Sequence, residues 1–439
     1  MKARARALAA GAGDDVVSPP AGSLRPTIHL TPDRGWMNDP HGVIRRDGLY
    51  HVFYQANPAS PQWTTGIRWG HASSPDLVSW TVHPPILAPG DGDDGIWTGC
   101  AVDGPDGTPV IFYTSAHGPD PQLSRIRTAH PDDHSLMTWH KGPVVAETPT
   151  DGAVVVFRDP TVHRENDHWR MFVGAGLADG RPALASFTSE DLRHWRYAGL
   201  AAAGRPHEPW TGSAWECPQL ITIGDRVILL VSAWQEGETH DVWAGIGSYA
   251  DGRLAIDHWQ RVGYGAGHYA PTTFDDDDNQ PCALFWIRNV GDDTRTWSGA
   301  LSVPYRIQLI DDHVVFRPHP TVLDALSRAD GPRTAIALTF GEDHGRLVAP
   351  RDAGGELFRL EAVDETLTVT TDGHVVAAPL PAGGEAIQVI ADGAVLEVCM
   401  GSGLISLPLR GHLKTGRPAA SGSTSTYRWF PTLRRRPMM

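Results

Sequence analysis

Five segments of the chain share one layout: a short motif, an alternating apolar strand, a polar turn and a second apolar strand. They read DPHGVIRRDGLYHVFYQ from Asp39, GCAVDGPDGTPVIFYTS from Gly99, DPTVHRENDHWRMFVGA from Asp159, CPQLITIGDRVILLVSA from Cys217 and APTTFDDDDNQPCALFWI from Ala270. With Asp39, Gly99, Asp159, Glu216 and Tyr269 as equivalent landmarks, the spacings are 60, 60, 57 and 53 residues. Turns such as Asp47-Gly48, Asp106-Gly107 and Gly224-Asp225 supply residues for which positive φ is cheap, so each segment reads as a hairpin. A second element recurs out of phase and ends each time in tryptophan, at Trp80, Trp139, Trp195 and Trp259. Four strands in a unit of roughly 50–60 residues, repeated radially, predict an all-β chain built as a five-bladed β-propeller. An open sandwich or barrel of hairpins is the competing arrangement. Helical periodicity is nearly absent before residue 310, which excludes an alternating βα fold.

The repeat stops after Ile310, and a short helical stretch follows Pro320. From about Gly331 the pattern changes to short alternating strands without tryptophan, with turns at Asp372-Gly373 and Asp392-Gly393, which predicts a small C-terminal β-sandwich. The expected organisation is a disordered N-terminal tail over 1–26, a propeller over 27–310, a linker with a short helix over 311–330, a sandwich over 331–412 and a C-terminal tail over 413–439. The tail from about Leu413 ends in a basic run and is read as loose or as a strap on an acidic body.

Composition narrows the partners. A net charge of -14 repels nucleic acid and anionic membrane surfaces, and no apolar stretch reaches the roughly 20 residues of a membrane span. The N-terminus is basic, but its apolar part is short and broken by Gly11 and Gly13, so no secretory signal is read and a cytoplasmic location is expected. The four cysteines form no CxxC or His-spaced pattern, which fits a reducing compartment and gives no support to a structural zinc. No metal and no cofactor are expected.

Residues at matched repeat positions converge at one end of a propeller channel. Three of the five landmarks are carboxylates, Asp39, Asp159 and Glu216, and a proline follows each within two residues and stiffens the backbone there. An Asp before Pro is often a turn residue bonding its own backbone, yet three carboxylates at matched positions argue for shared chemistry. Carboxylates in a channel mouth together with exposed indoles suit carbohydrate: indole faces stack on sugar C–H faces, and carboxyl and amide groups bond hydroxyls. Glycoside hydrolysis needs one carboxylic acid to protonate the leaving oxygen and a second carboxylate to attack or to activate water, and Asp39 and Glu216 can supply these. Cys217 has no histidine at a matching position and is read as packing. The Asp275–Asp278 run lacks the spacing of a calcium loop and is read as a solvated turn.

Trp36-Met37-Asn38-Asp39-Pro40, Phe157-Arg158-Asp159-Pro160 and Trp215-Glu216-Cys217-Pro218 resemble the three hallmark motifs of glycoside hydrolase family 32, the invertase, inulinase and levanase group. The resemblance runs from about Ile28 to Met400 and includes FYQANP, WGHASSPDLVSW, WSGALSVP and DGAVLEVCMGSG. It implies a five-bladed propeller with a C-terminal sandwich and a retaining exo-β-fructofuranosidase acting on sucrose, fructo-oligosaccharides or fructans. By position, Asp39 resembles the nucleophile, Glu216 the acid/base and Asp159 the transition-state stabiliser. Asn38, Gln55, Trp63, Trp97, Thr98, Arg158 and Trp286 match sugar-binding positions of the family. Trp97 and Trp286 also suit plain inter-blade packing.

The retaining mechanism further implies Asp39 and Glu216 carboxyls roughly 5–5.5 Å apart, a raised pKa at Glu216, an ionised Asp39 and an Asp159 kept charged by Arg158. A fructosyltransferase of the same fold, a non-catalytic carbohydrate-binding propeller and, more distantly, an inverting pentosidase remain as alternatives. The chain departs from the family pattern at Gly263, His268, Gln219 and Val303-Pro304-Tyr305-Arg306, which bears on the subsite beyond the fructose.

Overall fold

The structure is a computed structural model describing residues 24–150, 153–292, 294–327, 334–338, 345–351, 354–380, 387–411, 419–421 and 427–430. The described chain is all-β apart from one short helix. Its first strands form successive antiparallel meanders: β1 (Gly35–Arg46), β2 (Leu49–Asn57), β3 (Arg68–Ser74) and β4 (Thr81–Leu87), then β5 (Gly95–Asp103), β6 (Pro109–Ala116), β7 (Arg125–Pro131) and β8 (Trp139–Glu147). The third is β9 (Val154–Glu165), β10 (His168–Leu177), β11 (Pro182–Ser189) and β12 (Arg196–Ala203), and the fourth β13 (Ala214–Ile223), β14 (Arg226–Gln235), β15 (Glu238–Ala250) and β16 (Arg253–Arg261).

After a two-residue strand, β17 (Gly263–Tyr264), a fifth group gathers β18 (His268–Asp275), β19 (Pro281–Gly291), β20 (Trp297–Leu301), β21 (Tyr305–Ile310) and β22 (His313–Pro318) around β19. β20 pairs in parallel with the start of β1, Gly35 to Trp297 and Trp36 to Ser298. This pairing joins the last group to the first and sets Trp36 against Trp286, their rings 5.5 Å apart. Gly35 serves here because a Cβ would lie 2.1 Å from the Asn57 carbonyl and its φ is +81.

The recurring tryptophan element is a turn. Leu77, Leu136 and Leu192 adopt φ of 64, 60 and 63 while buried, a conformation that costs a branched side chain and persists only when the surroundings hold it. Asp76 accepts the backbone N–H groups of Val78 and Ser79, and Asp191 those of Arg193 and His194. The indoles of Trp139 and Trp195 close two of the turns by donating to the carbonyls of Leu136 and Leu192. A repeated tryptophan is expected to be core, yet of these four only Trp139 is buried; Trp80, Trp195 and Trp259 are half-buried lids, each packed on a different apolar cluster.

Two expectations shift. His313–Pro318, within the stretch read as linker, is β22 in a hairpin with β21, and only α1 (Pro320–Ser327) is helical. Beyond α1, strands β23 (Thr334–Leu338), β24 (Gly345–Pro350), β25 (Glu356–Val363), β26 (Thr366–Thr371), β27 (His374–Pro379), β28 (Ile387–Asp392), β29 (Val395–Cys399) and β30 (Leu404–Pro408) build two further sheets. Their facing side chains, among them Leu347, Leu360, Val369, Val389, Val398 and Ile405, form one apolar core, as two stacked sheets require. Inside the expected C-terminal tail, β31 (Ala419–Ser421) pairs with β24 and β32 (Tyr427–Phe430) with β23. The greater part of the expected N-terminal tail, residues 1–23, lies outside the described residues.

The C-terminal unit is tied to the meanders by buried charge. Glu397 on β29 accepts from His29 Nε2 at 2.6 Å, His268 Nε2 at 2.8 Å and the Tyr305 hydroxyl at 2.9 Å, while Asp392 on β28 lies 3.0 Å from His29 Nδ1. Burial opposes these charges, but with this many donors each is compensated.

Candidate active site

Each inner strand carries a β-bulge at its landmark. Asn38 and Asp39 together oppose Gln55, Thr98 is the extra residue of β5, Asp159 that of β9, Cys217 and Pro218 together oppose Val231, and Ala270 and Pro271 oppose Phe285. A bulge breaks the strict alternation of faces and re-aims a side chain, here toward the common channel. Asp159, Cys217 and Ala270 reach this geometry with φ of 65, 48 and 47, backbone values stored only where packing enforces them.

The re-aimed side chains meet in a cavity of about 400 Å³ lined by Asn38, Asp39, Gln55, Trp63, Trp97, Arg158, Asp159, Glu216 and Trp286. Thr98 stands behind this wall with its hydroxyl 2.6 Å from Asp39 Oδ2. Every residue predicted for the site is therefore brought to one place. Trp97 and Trp286 both pack and line: each is buried, and each borders the cavity. Trp36, Gln122, Trp234, Gly237, Thr239 and Tyr269 also line it and were not predicted for the site. Tyr269 is itself a repeat landmark and Trp36 opens the motif that carries Asp39, so both had a usable signal; Gln122, Gly237 and Thr239 lie in irregular or strand-end positions that carry none.

Asp39 is held by neutral donors. Its carboxylate accepts from Thr98 Oγ1, from Asn38 Nδ2 at 3.1 Å and from Gln55 Nε2 at 3.2 Å, and Trp36 Nε1 orients Asn38 from 2.7 Å. Asp159 accepts the backbone N–H of Cys217 at 3.0 Å, and its own N–H donates to Thr114 Oγ1 at 2.7 Å. Glu216 has ionic and phenolic partners: Arg158 Nε lies 2.8 Å from Oε1 and the Tyr269 hydroxyl 2.6 Å from Oε2. Arg158 also donates to Gln122 at 2.6 Å and lies over the Trp234 ring at 4.6 Å.

The electrostatic expectations need correction. Burial raises the pKa of Asp39 above its ordinary value, opposed by the Thr98 hydrogen bond and reinforced by the charge of Glu216. Burial likewise raises Asp159, with Glu216 adding to the effect, and Arg158 only partly offsets it because its guanidinium is aimed at Glu216. Asp39 and Asp159 are thus two buried carboxylates, both held above the ordinary carboxylate range, beside one guanidinium that is paired with Glu216. Cys217 Sγ lies 3.7 Å from Asp39 Oδ2 and 3.6 Å from Asp159 Oδ2, and burial together with these anions pushes its thiol well above the ordinary range. It is a weak donor to two carboxylates, not a thiolate.

The departures from the family pattern fall away from the cavity. His268 is buried against Glu397, Gln219 bonds Thr273 and the Pro218 carbonyl, Gly263 pairs with Leu404, and Tyr305 donates to Glu397. Asp276 is not a solvated turn residue: it is buried, with Arg306 Nε at 2.7 Å and His319 Nε2 at 3.1 Å, because the turn folds back onto β21 and the residue after β22. Cys282 joins the same cluster, where Arg306 already neutralises the carboxylate.

Residues 29–318 match the model of the Glycosyl hydrolases family 32 N-terminal domain. The chain is 31% identical over 364 residues to a sucrose-6-phosphate hydrolase of Zymomonas mobilis, across 76% of this chain and 70% of that one. It is 30% identical over 325 residues to a fructan 6-exohydrolase of Beta vulgaris, across 65% of this chain and 52% of that one. Among solved structures, a family 32 β-fructofuranosidase of Bombyx mori superposes with a TM-score of 0.80 at 23% identity, across 94% of each chain.

Proposed function

The chain belongs to glycosyl hydrolase family 32 and is a glycoside hydrolase, and from that premise we propose that it is a retaining exo-β-fructofuranosidase. It removes the terminal fructosyl unit of sucrose or a short fructo-oligosaccharide in two displacements. The strand groups are read as five blades around the channel, with residues from about 27 to 318 as the catalytic body and the later sheets as a sandwich.

The observation that carries the mechanism is the different holding of two carboxylates. Asp39 is fixed by three neutral donors that stabilise its anion without transferring a proton, as a nucleophile needs. Glu216 faces a phenol with a second acceptor, since the Tyr269 hydroxyl lies 3.0 Å from the Ala233 carbonyl as well as 2.6 Å from Glu216. Tyr269 donates to Glu216 when that group is anionic, and donates to Ala233 while accepting from Glu216 when it is protonated. An acid that becomes a base needs a partner tolerant of both states.

In the first step the Asp39 carboxylate attacks the anomeric carbon of fructose. The glycosidic C–O bond breaks, and the leaving oxygen takes the proton of Glu216. Sugar hydroxyls donating to Asp39 and Asp159 hold both as anions. Asp159 grips ring hydroxyls as positive charge develops on the sugar. In the second step Glu216 takes a proton from water, whose oxygen displaces the ester of Asp39.

A cavity of about 400 Å³ suits the end of a chain rather than its middle, which supports exo action. Among the described residues its single lining cation, Arg158, is committed to Glu216 and Gln122, which favours an uncharged fructoside over a sugar phosphate. The test is release of glucose and fructose from sucrose, with methanol as a competing acceptor. The proposal expects hydrolysis and methyl β-fructofuranoside. Methyl α-fructofuranoside, or undiminished activity in Asp39→Ala, contradicts it.

A further inference from the structure

Among the described residues two tryptophans are exposed, Trp63 at 44% and Trp210 at 49%. Trp63 forms part of the cavity wall. Trp210 lies on the segment joining β12 to β13, next to the rim but outside the cavity lining. Its ring stands edge-on to that of His240, with centroids 4.8 Å apart and planes at 90°. His240 directly follows Thr239, a lining residue.

Both sides of this aromatic pair are anchored. Thr211, adjacent to Trp210, accepts the Trp215 indole N–H at 3.0 Å, and Ser213 donates its backbone N–H to the carbonyl of the lining residue Trp234 at 2.9 Å. Across the rim, buried Arg288 donates to the carbonyls of Thr239 at 3.0 Å and His240 at 2.8 Å and to the Thr239 hydroxyl at 2.7 Å. An exposed indole whose flanking chain is anchored in this way and whose ring meets His240 offers a stacking face at reduced entropic cost.

We propose that Trp210 and His240 form an outer sugar subsite on the rim, taking an uncharged ring that lies beyond the two rings of a disaccharide. The subsite rests on the β-fructofuranosidase reading for the orientation of its ligand. It gives the enzyme a preference for fructo-oligosaccharides of three or more units. No charged side chain is needed, because stacking on sugar C–H faces is apolar, and His240 supplies a hydrogen bond to a hydroxyl.

The experiment compares the trisaccharide kestose with sucrose in the wild-type protein, Trp210→Ala and Trp210→Phe, with thermal melts to establish that the variants fold. The ratio of kcat/KM for kestose to that for sucrose falls about tenfold in Trp210→Ala, because the trisaccharide binds more weakly while its kcat is kept, and Trp210→Phe retains most of the ratio. An unchanged ratio overturns the subsite. Calorimetric titration of kestose into Asp39→Ala, with and without Trp210→Ala, judges the subsite without turnover: about tenfold weaker binding is expected, and equal binding overturns it. Failure of the wild-type protein to cleave either sugar contradicts the proposed function instead, and leaves the titration to decide the subsite.

Discussion

The hydroxyl of Thr98 lies 2.6 Å from Oδ2 of Asp39, although the two residues belong to different meanders and are brought together only by the bulges of β1 and β5. Thr98 also takes the Gln55 amide at 2.5 Å, so one side chain orients both the carboxylate and its second donor. Replacing Thr98 by Val removes a hydrogen bond to a charged group, a loss of about 1.5–3 kcal/mol that lowers kcat/KM roughly 10- to 100-fold. The bond lowers the Asp39 pKa, so its loss raises it. The acidic limb of the pH–rate profile accordingly moves to higher pH, which a kcat/KM profile measures.

Tyr269→Phe leaves Glu216 with Arg158 alone. Fructose release should fall roughly tenfold or more, in line with the loss of one positioned proton partner. Thermal stability should change less than activity, because the Ala233 carbonyl lies on a paired strand and the ring remains packed against Trp286. Parallel kinetics and melting curves distinguish the two effects.

Stability should peak near neutral pH. Burial disfavours a charged His29, yet Glu397 and Asp392 raise its pKa to about 9; its contribution is complete below about pH 6.5 and fades as pH rises toward 9. On the acid side, burial lowers His51 to about 4 and His71 to about 3, and drives His41 and His83 down as well. These histidines fold neutral, so the unfolded chain binds more protons below about pH 6.5 and stability falls with falling pH. Melting temperature measured from pH 4 to 9 should decline on both sides, more steeply toward acid. Glu397→Gln should remove much of the alkaline decline while lowering stability overall.

Cys217 should be unreactive despite its place among the carboxylates. Cys217 forms no disulfide, and burial with two adjacent anions keeps this thiol protonated. Iodoacetamide at pH 8 should leave Cys217 unmodified by mass spectrometry and activity intact.

What the sequence carries and what it hides follow from one geometric fact. Asp39, Asp159 and Glu216 are legible because the repeat reports inner-strand positions, and the bulges fall at those positions. The bulges themselves leave no pattern in the sequence, although the Asp-Pro and Cys-Pro steps that accompany them do. Gln122, Gly237 and Thr239 are hidden because connections and strand ends reach the cavity only after the meanders are arranged around it. Asp276 looks solvated because a run of four aspartates gives no sign that one of them turns inward to Arg306. His268 looks like a subsite residue until its partner, Glu397, is found 129 positions away in the other unit. Pairing at that separation leaves no local pattern.

The most direct test of the mechanism is rapid-quench mass spectrometry of the Glu216→Ala protein with a β-fructofuranoside bearing a good leaving group, followed by peptide mapping. Such a substrate needs no acid for the first step, while the missing base slows the second. A fructosyl ester is expected on the peptide that carries Asp39. Turnover with no adduct, or an adduct on any other residue, contradicts the mechanism.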